Sequence, residues 1–188
     1  MPITRRTALP LLAAALAAPG PALAQANMSR TSAHAFAFTG LDGKEIRLAV
    51  HAGKPILVVN TASLCGYTPQ YAGLQELWQR YRERGLLVIG VPSNDFGGQE
   101  PGGKAEIDHT AHRYGVTFPL AAKVEIKGAA AHPFYRWLAV ERPGEVPRWN
   151  FHKYLIDRDG RLKANFRAAV EPTDARVVTA IERELARE

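Results

Sequence analysis

Hydrophobic residues cluster in short runs in the first half of the chain, and these runs predict β-strands. Residues 55–61 form an almost continuous apolar, β-branched run, which is typical of a strand covered on both faces. Residues 86–91 repeat that pattern and predict a second buried strand. Earlier, apolar runs at 36–38 and 46–50 flank a Gly-Leu-Asp-Gly turn at 40–43. This arrangement predicts an amino-terminal hairpin followed by central strands of a sheet.

Other apolar positions recur every three or four residues, which is the period of an amphipathic helix. The first such helix is predicted to begin with Thr68 as N-cap and Pro69 in the first turn, and to end at Gly85. Its apolar stripe comprises Tyr71, Leu74, Leu77, Trp78 and Tyr81. Further helices are predicted at 104–114, around Phe134, Trp137 and Leu138, and at Val177, Val178, Ile181 and Leu185, where Thr173 is the expected cap.

The order of these elements predicts the fold class. A second hairpin, residues 154–156 and 162–166 around Asp159-Gly160, precedes the last helix. After the first hairpin the order is therefore strand, helix, strand, helix, helix, hairpin, helix. Parallel strands with crossover helices that finish in a hairpin predict an α/β, thioredoxin-like sandwich, with a central mixed β-sheet flanked by helices.

The first 24 residues differ from the rest and predict a secretory signal. Arg5 and Arg6 precede an apolar run at 8–18, and Ala22-Leu23-Ala24 supplies the small residues of a cleavage site, with Ala26 as the second choice. A membrane anchor is the alternative, but the run is shorter than the roughly 20 residues that span a bilayer. Residues 4–9 also resemble a twin-arginine signal. We therefore expect export to the periplasm by either route, leaving 25–188 as a single domain.

Composition and charge exclude several classes of function. The chain has 188 residues, of which 46% are hydrophobic and 22% charged, as in ordinary globular proteins. Residues 25–188 carry 22 basic and 18 acidic side chains, a net charge of +4, without a dense basic run. We therefore expect neither nucleic acid binding nor stable membrane insertion.

Cys65 is the one cysteine of the chain, so an internal disulfide is excluded. It follows the first central strand, and open sheets bind ligands at the carboxyl ends of such strands. It also precedes a helix, whose amides and dipole favour a thiolate. An ordinary cysteine is only about 3% ionised at pH 7, and lowering its pKa by about two units gains only about fourfold in reactivity. Fast chemistry therefore also needs hydrogen-bond donors around an accessible sulfur.

Four segments around this position resemble the signature motifs of glutathione peroxidases. They are NTASLCGYTPQY at 60–71, NDFGGQEPG at 94–102, YGVTFP at 114–119 and RWNFHK at 148–153. The similarity runs from about residue 36 to residue 167. It implies a thiol peroxidase in which Cys65, Gln99, Trp149 and Asn150 form the catalytic set. It also implies a hydroperoxide substrate, a Cys65 sulfenic acid and no bound cofactor, with glutathione or a thioredoxin-like protein as the reductant.

The chain departs from this family at positions that affect the cycle. Relatives that use cysteine often carry a second, resolving cysteine after the glutamine motif, whereas residues 107–112 contain none. Ser93 and Leu64 replace a common cysteine and a common lysine. We therefore expect a one-cysteine enzyme that depends on an external thiol. The alternative is a redox sensor that passes its oxidation to a partner protein, and steady-state peroxide consumption separates the two.

Three other sequence patterns are weaker indications of function. Residues 98–104 have the spacing of a phosphate-binding loop, but Ala105 lacks the hydroxyl that would bind magnesium. His109 and His112 have no evident third metal ligand and are expected on the surface. A thioredoxin-type oxidoreductase needs a second cysteine at position 68, and a copper-delivery protein of this fold needs one at position 69. Thr68 and Pro69 occupy these positions, so both functions are disfavoured.

Overall fold

The computed structural model describes residues 31–187. The strands are β1 (Ala37–Thr39), β2 (Glu45–Arg47), β3 (Ile56–Thr61), β4 (Leu87–Pro92), β5 (Lys153–Ile156) and β6 (Leu162–Phe166). The α-helices are α1 (Gln70–Tyr81), α2 (Lys104–Arg113), α3 (Pro133–Glu141) and α4 (Ala175–Leu185). The predicted signal at 1–24 lies outside the described residues. No helix within 31–187 is long and apolar enough to cross a membrane.

The central sheet has the strand order β4-β3-β5-β6. β3 runs parallel to β4 and antiparallel to β5, and β5 pairs antiparallel with β6. β1 and β2 form a separate antiparallel hairpin. The predicted mixed sheet, both hairpins and the thioredoxin-like order are therefore confirmed, and Cys65 follows a strand in the interior of the sheet.

The two faces of the sheet explain why the first four residues of β3, 56–59, are all apolar. Ile56 and Val58 point into one core cluster, which contains residues of α3 and β1. Leu57 and Val59 point into the other, which contains residues of α1 and α4. Successive side chains of a strand face opposite sides, so a strand between two layers needs apolar residues at every position. Cys65 belongs to the α1 and α4 side.

Several predicted element ends were wrong. The strand predicted at 46–50 stops at Arg47, and Leu48–His51 form a 3-10 helix that buries Leu48 completely. The cap of α4 is Asp174 rather than Thr173, because the Asp174 carboxylate accepts the amide hydrogen of Arg176 at 2.9 Å. The strand ends early because Leu48 is buried in the core, and the helix cap depends on which side chain reaches a free amide. The periodicity of the sequence reveals neither.

Two further expectations, for Gly85 and for the exposure of two histidines, are confirmed. Gly85 adopts a left-handed φ of 106° after a short 3-10 turn that follows α1. His109 and His112 are exposed on α2. Within residues 31–187 no group of three His, Cys, Asp or Glu side chains is arranged to hold a metal.

Candidate active site

Cys65 lies in a tight turn between β3 and α1. The Thr68 hydroxyl accepts the amide hydrogen of Cys65 at 3.1 Å, and it lies 2.8 Å from the carbonyl oxygen of Ala62. The Thr68 amide donates to the carbonyl of Cys65 at 3.0 Å. Thr68 therefore fixes the nucleophile loop, and it is not the side-chain N-cap that the sequence predicted, since α1 begins only at Gln70.

The Cys65 sulfur lies at the edge of the apolar interior. Its side chain packs in the α1 and α4 core cluster and is 6% exposed, while Leu64 and Gly66 on either side are exposed. The Tyr67 amide donates to the sulfur at 3.4 Å. The expected backbone donor is therefore present, but it belongs to the turn before the helix. The sulfur is also more buried than the sequence suggested.

Gln99 is tied to this loop through the main chain. The Leu64 amide donates to the carbonyl of Gln99 at 3.0 Å. Gly97 and Gly98 precede it with left-handed φ values of 70° and 63°, which a residue with a Cβ adopts only with strain. The glycines therefore turn the second loop back toward the loop that carries Cys65.

Asn150 and Trp149 approach from a third segment. The Asn150 amide donates to Gln99 Oε1 at 2.9 Å and to the carbonyl of Phe96 at 3.2 Å. The Trp149 ring packs edge to face with Phe96, with the ring centres 6.4 Å apart, and is 40% exposed. Among the described residues no hydrogen bond joins the sulfur itself to Gln99, Trp149 or Asn150. The structure therefore brings Gln99 and Asn150 into direct contact and places Trp149 beside them.

Asn60 is a positioning residue that the sequence reasoning missed. It is fully buried at the end of β3. Its amide nitrogen donates to the carbonyl of Trp149 at 3.0 Å, and its amide oxygen accepts the His152 amide at 3.2 Å. Its main-chain carbonyl accepts the Phe151 amide at 2.6 Å. The available signal was a polar residue inside an apolar strand, because such a side chain needs partners in the interior.

A cavity of about 330 Å³ opens beside the site. It is lined by Tyr67, Arg148, Trp149, His152, Arg167, Ala168 and Ala169. Arg148 and Arg167 are exposed, and neither forms an ion pair with an acidic side chain of residues 31–187. Burial, with a smaller effect of neighbouring cations, lowers the pKa of His152 to about 4, so this imidazole is neutral at pH 7. The cavity is therefore positively charged next to Cys65.

The phosphate-loop pattern has a different role in the structure. Lys104 forms an ion pair with Asp108 on α2. Glu100 is buried and accepts a hydrogen bond from the Ser63 hydroxyl at 3.1 Å. Glu100 therefore connects this loop to the loop that carries Cys65, and Lys104 is paired within α2.

The comparisons with known proteins show the family and the fold that this chain resembles. The family model described as glutathione peroxidase matches residues 33–139. Hydroperoxy fatty acid reductase gpx1 of Synechocystis sp. is 44% identical over 161 residues, covering 80% of this chain and 94% of that protein. A glutathione peroxidase of Lactococcus lactis is 39% identical, covering 74% and 91%. The crystal structure of Trgpx in its apo form is 34% identical, with a TM-score of 0.66, and covers 82% and 96%.

The fold and these matches define a thiol-dependent peroxidase with a thioredoxin-like fold. The chain belongs to the glutathione peroxidase family.

Gly97 and Gly98 provide a matched test of the position of Trp149. A Cβ on Gly97 would lie 3.2 Å from Trp149 Cη2, whereas a Cβ on Gly98 meets nothing within 4 Å. Alanine at either position adopts a left-handed conformation, so we expect each variant to lose about 1–2 kcal/mol of unfolding free energy. Only Gly97→Ala should also slow oxidation of Cys65 by hydrogen peroxide, by about tenfold or more, because it displaces the indole. Stopped-flow kinetics and urea unfolding measure the two effects, and equal rates in both variants would contradict a role for Trp149.

Proposed function

We propose that this peroxidase reduces organic hydroperoxides through a sulfenic acid on Cys65 and is regenerated by an external thiol. The observation that carries the proposal is the meeting of three segments at the end of β3. They bring the nucleophile loop, Gln99 and the Trp149-Asn150 turn together. The sulfur supplies the electron pair, and the amide and indole groups supply donors for the oxygen that departs.

The oxidising half of the cycle breaks the O–O bond. The Cys65 thiolate attacks the terminal oxygen of the hydroperoxide, and the bonding pair leaves with the other oxygen. A proton donor in the site converts that oxygen to an alcohol, or to water when the substrate is hydrogen peroxide. Sulfur keeps the hydroxyl oxygen as a sulfenic acid. The Gln99 amide nitrogen and the Trp149 indole are the proposed donors for the thiolate and the departing oxygen. Asn150 orients Gln99, because its two amide hydrogens bond to Gln99 Oε1 and the Phe96 carbonyl.

The reducing half consumes two thiols. The first attacks the sulfenic sulfur, releases water and leaves a mixed disulfide on Cys65. The second attacks this disulfide, which restores the Cys65 thiol and releases the oxidised reductant. The chain contains no other cysteine that could replace the first thiol.

Exposed apolar and cationic side chains near Cys65 favour particular substrates. Leu64 is 66% exposed and Trp149 40% exposed, and together they offer apolar contacts to an organic peroxide. The Synechocystis relative is named a hydroperoxy fatty acid reductase. Arg148 and Arg167 favour a reductant that carries carboxylates near its thiol, as glutathione does, because guanidinium groups bind carboxylates through charge-assisted hydrogen bonds.

The one-cysteine cycle predicts a trapped intermediate. Reduced protein treated with one equivalent of hydrogen peroxide and then with limiting glutathione should gain the mass of one glutathione, located at Cys65 by peptide mapping. Excess glutathione should remove it and support turnover well above the uncatalysed rate. Cys65→Ser should show neither adduct nor turnover. If no adduct forms on the wild-type protein, the one-cysteine cycle is wrong, and oxidation without turnover would indicate a sensor.

The positively charged cavity predicts selectivity among reducing thiols. Arg148→Gln combined with Arg167→Gln should lower kcat/KM for glutathione by roughly 5- to 30-fold, because two exposed charge-assisted contacts are lost. The same variant should keep its rate with dithiothreitol, which carries no charge. Arg142→Gln, an exposed arginine outside the cavity, is the control. An equal loss with both thiols, or no loss with glutathione, would rule out carboxylate recognition at this site.

We further infer that the protein is exported. The support is the arginine pair, the apolar run and the small residues within the first 24 positions. Expressed from the full-length gene, the protein should appear in the periplasmic fraction with Gln25 as its first residue, or Asn27 if cleavage follows Ala26. Amino-terminal sequencing measures this, and Arg5→Lys with Arg6→Lys should block export only on the twin-arginine route. An uncleaved cytoplasmic product would refute export.

A further inference from the structure

Glu100 is a buried carboxyl group to which the proposed cycle assigns no role. It directly follows Gln99 and is 0% exposed. Its Oε2 accepts a hydrogen bond from the Ser63 hydroxyl at 3.1 Å, whereas its Oε1 has no hydrogen-bond partner within residues 31–187. Because an acceptor buried without a partner is unfavourable, a glutamate in this position calls for an explanation.

The main chain at Glu100 is fixed at both of its polar groups. Its amide donates to Asn94 Oδ1 at 2.9 Å, and its carbonyl accepts a hydrogen bond from Lys123 Nζ at 3.1 Å. Lys123 Nζ also binds the next two carbonyls along the chain, at 3.3 Å and 2.7 Å. The Glu100 side chain therefore extends from a fixed point, so it can hold a neighbouring segment in place.

Hydrogen bonds of two adjacent residues join this loop to the loop that carries Cys65. The Leu64 amide donates to the carbonyl of Gln99 at 3.0 Å, and the Ser63 hydroxyl donates to the Glu100 carboxyl group. A single hydrogen bond leaves two segments free to rotate about it, whereas two bonds between adjacent residue pairs restrict that rotation. The bond from Ser63 to Glu100 therefore fixes the orientation of Gln99 relative to the Cys65 loop.

The side chain of Gln99 is held separately from its main chain. The Asn150 amide nitrogen donates to Gln99 Oε1 at 2.9 Å. The placement of the Gln99 amide nitrogen thus depends on Asn150 at the side chain and on Leu64 and Glu100 at the main chain. Loss of either support should displace this proposed donor.

We propose that Glu100 is a positioning residue, which through its bond to Ser63 keeps the Gln99 amide nitrogen in place for the oxygen that departs from the peroxide. This inference rests on the proposed function, in which Cys65 is the nucleophile and Gln99 a hydrogen-bond donor. Glu100 acts only through its neighbours, and its effect should appear in the oxidising half of the cycle.

The test is the rate of Cys65 oxidation by hydrogen peroxide at pH 7, measured by stopped flow in single turnover. Glu100→Ala should be about 10- to 100-fold slower than wild type, because a displacement of about 1 Å in a catalytic group has effects of that size. Glu100→Gln keeps an acceptor for Ser63 and should stay within about threefold of wild type. An unchanged rate in Glu100→Ala, or an equal loss in both variants, would overturn the proposal.

Ser63 provides the same test from the other loop. Its side chain is half-buried, so Ser63→Ala should fold, and it should be about tenfold slower than wild type. Adding Ser63→Ala to Glu100→Ala should cause no further loss, because the bond is already absent. If the two effects multiplied, the bond would not be their common cause and the proposal would be wrong. If Glu100→Ala does not fold, an unchanged rate in Ser63→Ala would still overturn it.

Alkylation of Cys65 by iodoacetamide separates the position of the donor from a change at the sulfur. Iodide departs without a proton, so this reaction needs no donor for a departing oxygen. Ser63→Ala and Glu100→Ala should therefore change the alkylation rate by less than about threefold. A loss as large as that in peroxide oxidation would place the effect at the sulfur and contradict the proposal.

Gln75→Met is the control for a general loss of stability. Gln75 forms two hydrogen bonds with Thr117, at 2.7 Å and 2.8 Å. Its replacement should lower stability in urea unfolding but leave the rate of peroxide oxidation unchanged, and a loss like that of Ser63→Ala would refute positioning by Glu100. A wild-type rate no faster than that of free cysteine, or turnover that survives in Cys65→Ser, would instead refute the proposed function.

Discussion

The Trp149-Asn150 turn must meet the end of β3 for this site to exist, and the side chain of Asn60 holds the two together. An amide buried without partners is unfavourable by about 1–3 kcal/mol. Asn60 avoids this because it binds the carbonyl of Trp149 and the amide of His152. Phe151 between them takes a left-handed conformation that its own side chain disfavours. The shape of the turn thus depends on hydrogen bonds from a neighbouring strand.

Hydrogen bonds also hold the loop that carries Cys65. The Thr68 hydroxyl binds the main chain on both sides of Ser63 and Leu64, and Leu64 in turn binds the carbonyl of Gln99. Glu100 adds a contact to the Ser63 hydroxyl, and burial raises the pKa of its carboxyl group. None of these contacts uses the Cys65 sulfur or the amide nitrogen of the Gln99 side chain, so both remain available to a substrate. A partly buried sulfur surrounded by fixed loops suits a reaction with a small or narrow oxidant.

Much of the fold could be read from the sequence because burial on two faces leaves a simple pattern. Every side chain of β3 is buried, and the apolar run over its first four positions indicated this directly. Helix α1 was recognisable because its apolar stripe faces the sheet. The element ends were less predictable. Leu48 left the strand to fill the core, and Asp174 rather than Thr173 reached the free amide of α4, since such choices depend on the geometry of neighbouring segments.

For the active site, the sequence alone determined which residue types are present, that Cys65 is unpaired, and that it follows a central strand. The pairing of Gln99 with Asn150, the contacts of Asn60 and the arginine-lined cavity emerged only in the tertiary structure. The physical reason is separation along the chain. Residues 60, 99 and 150 are far apart in sequence, and what each side chain touches is decided when the sheet brings their loops to one edge. Local sequence patterns indicate burial and turns, but they do not indicate which distant residues a side chain will contact.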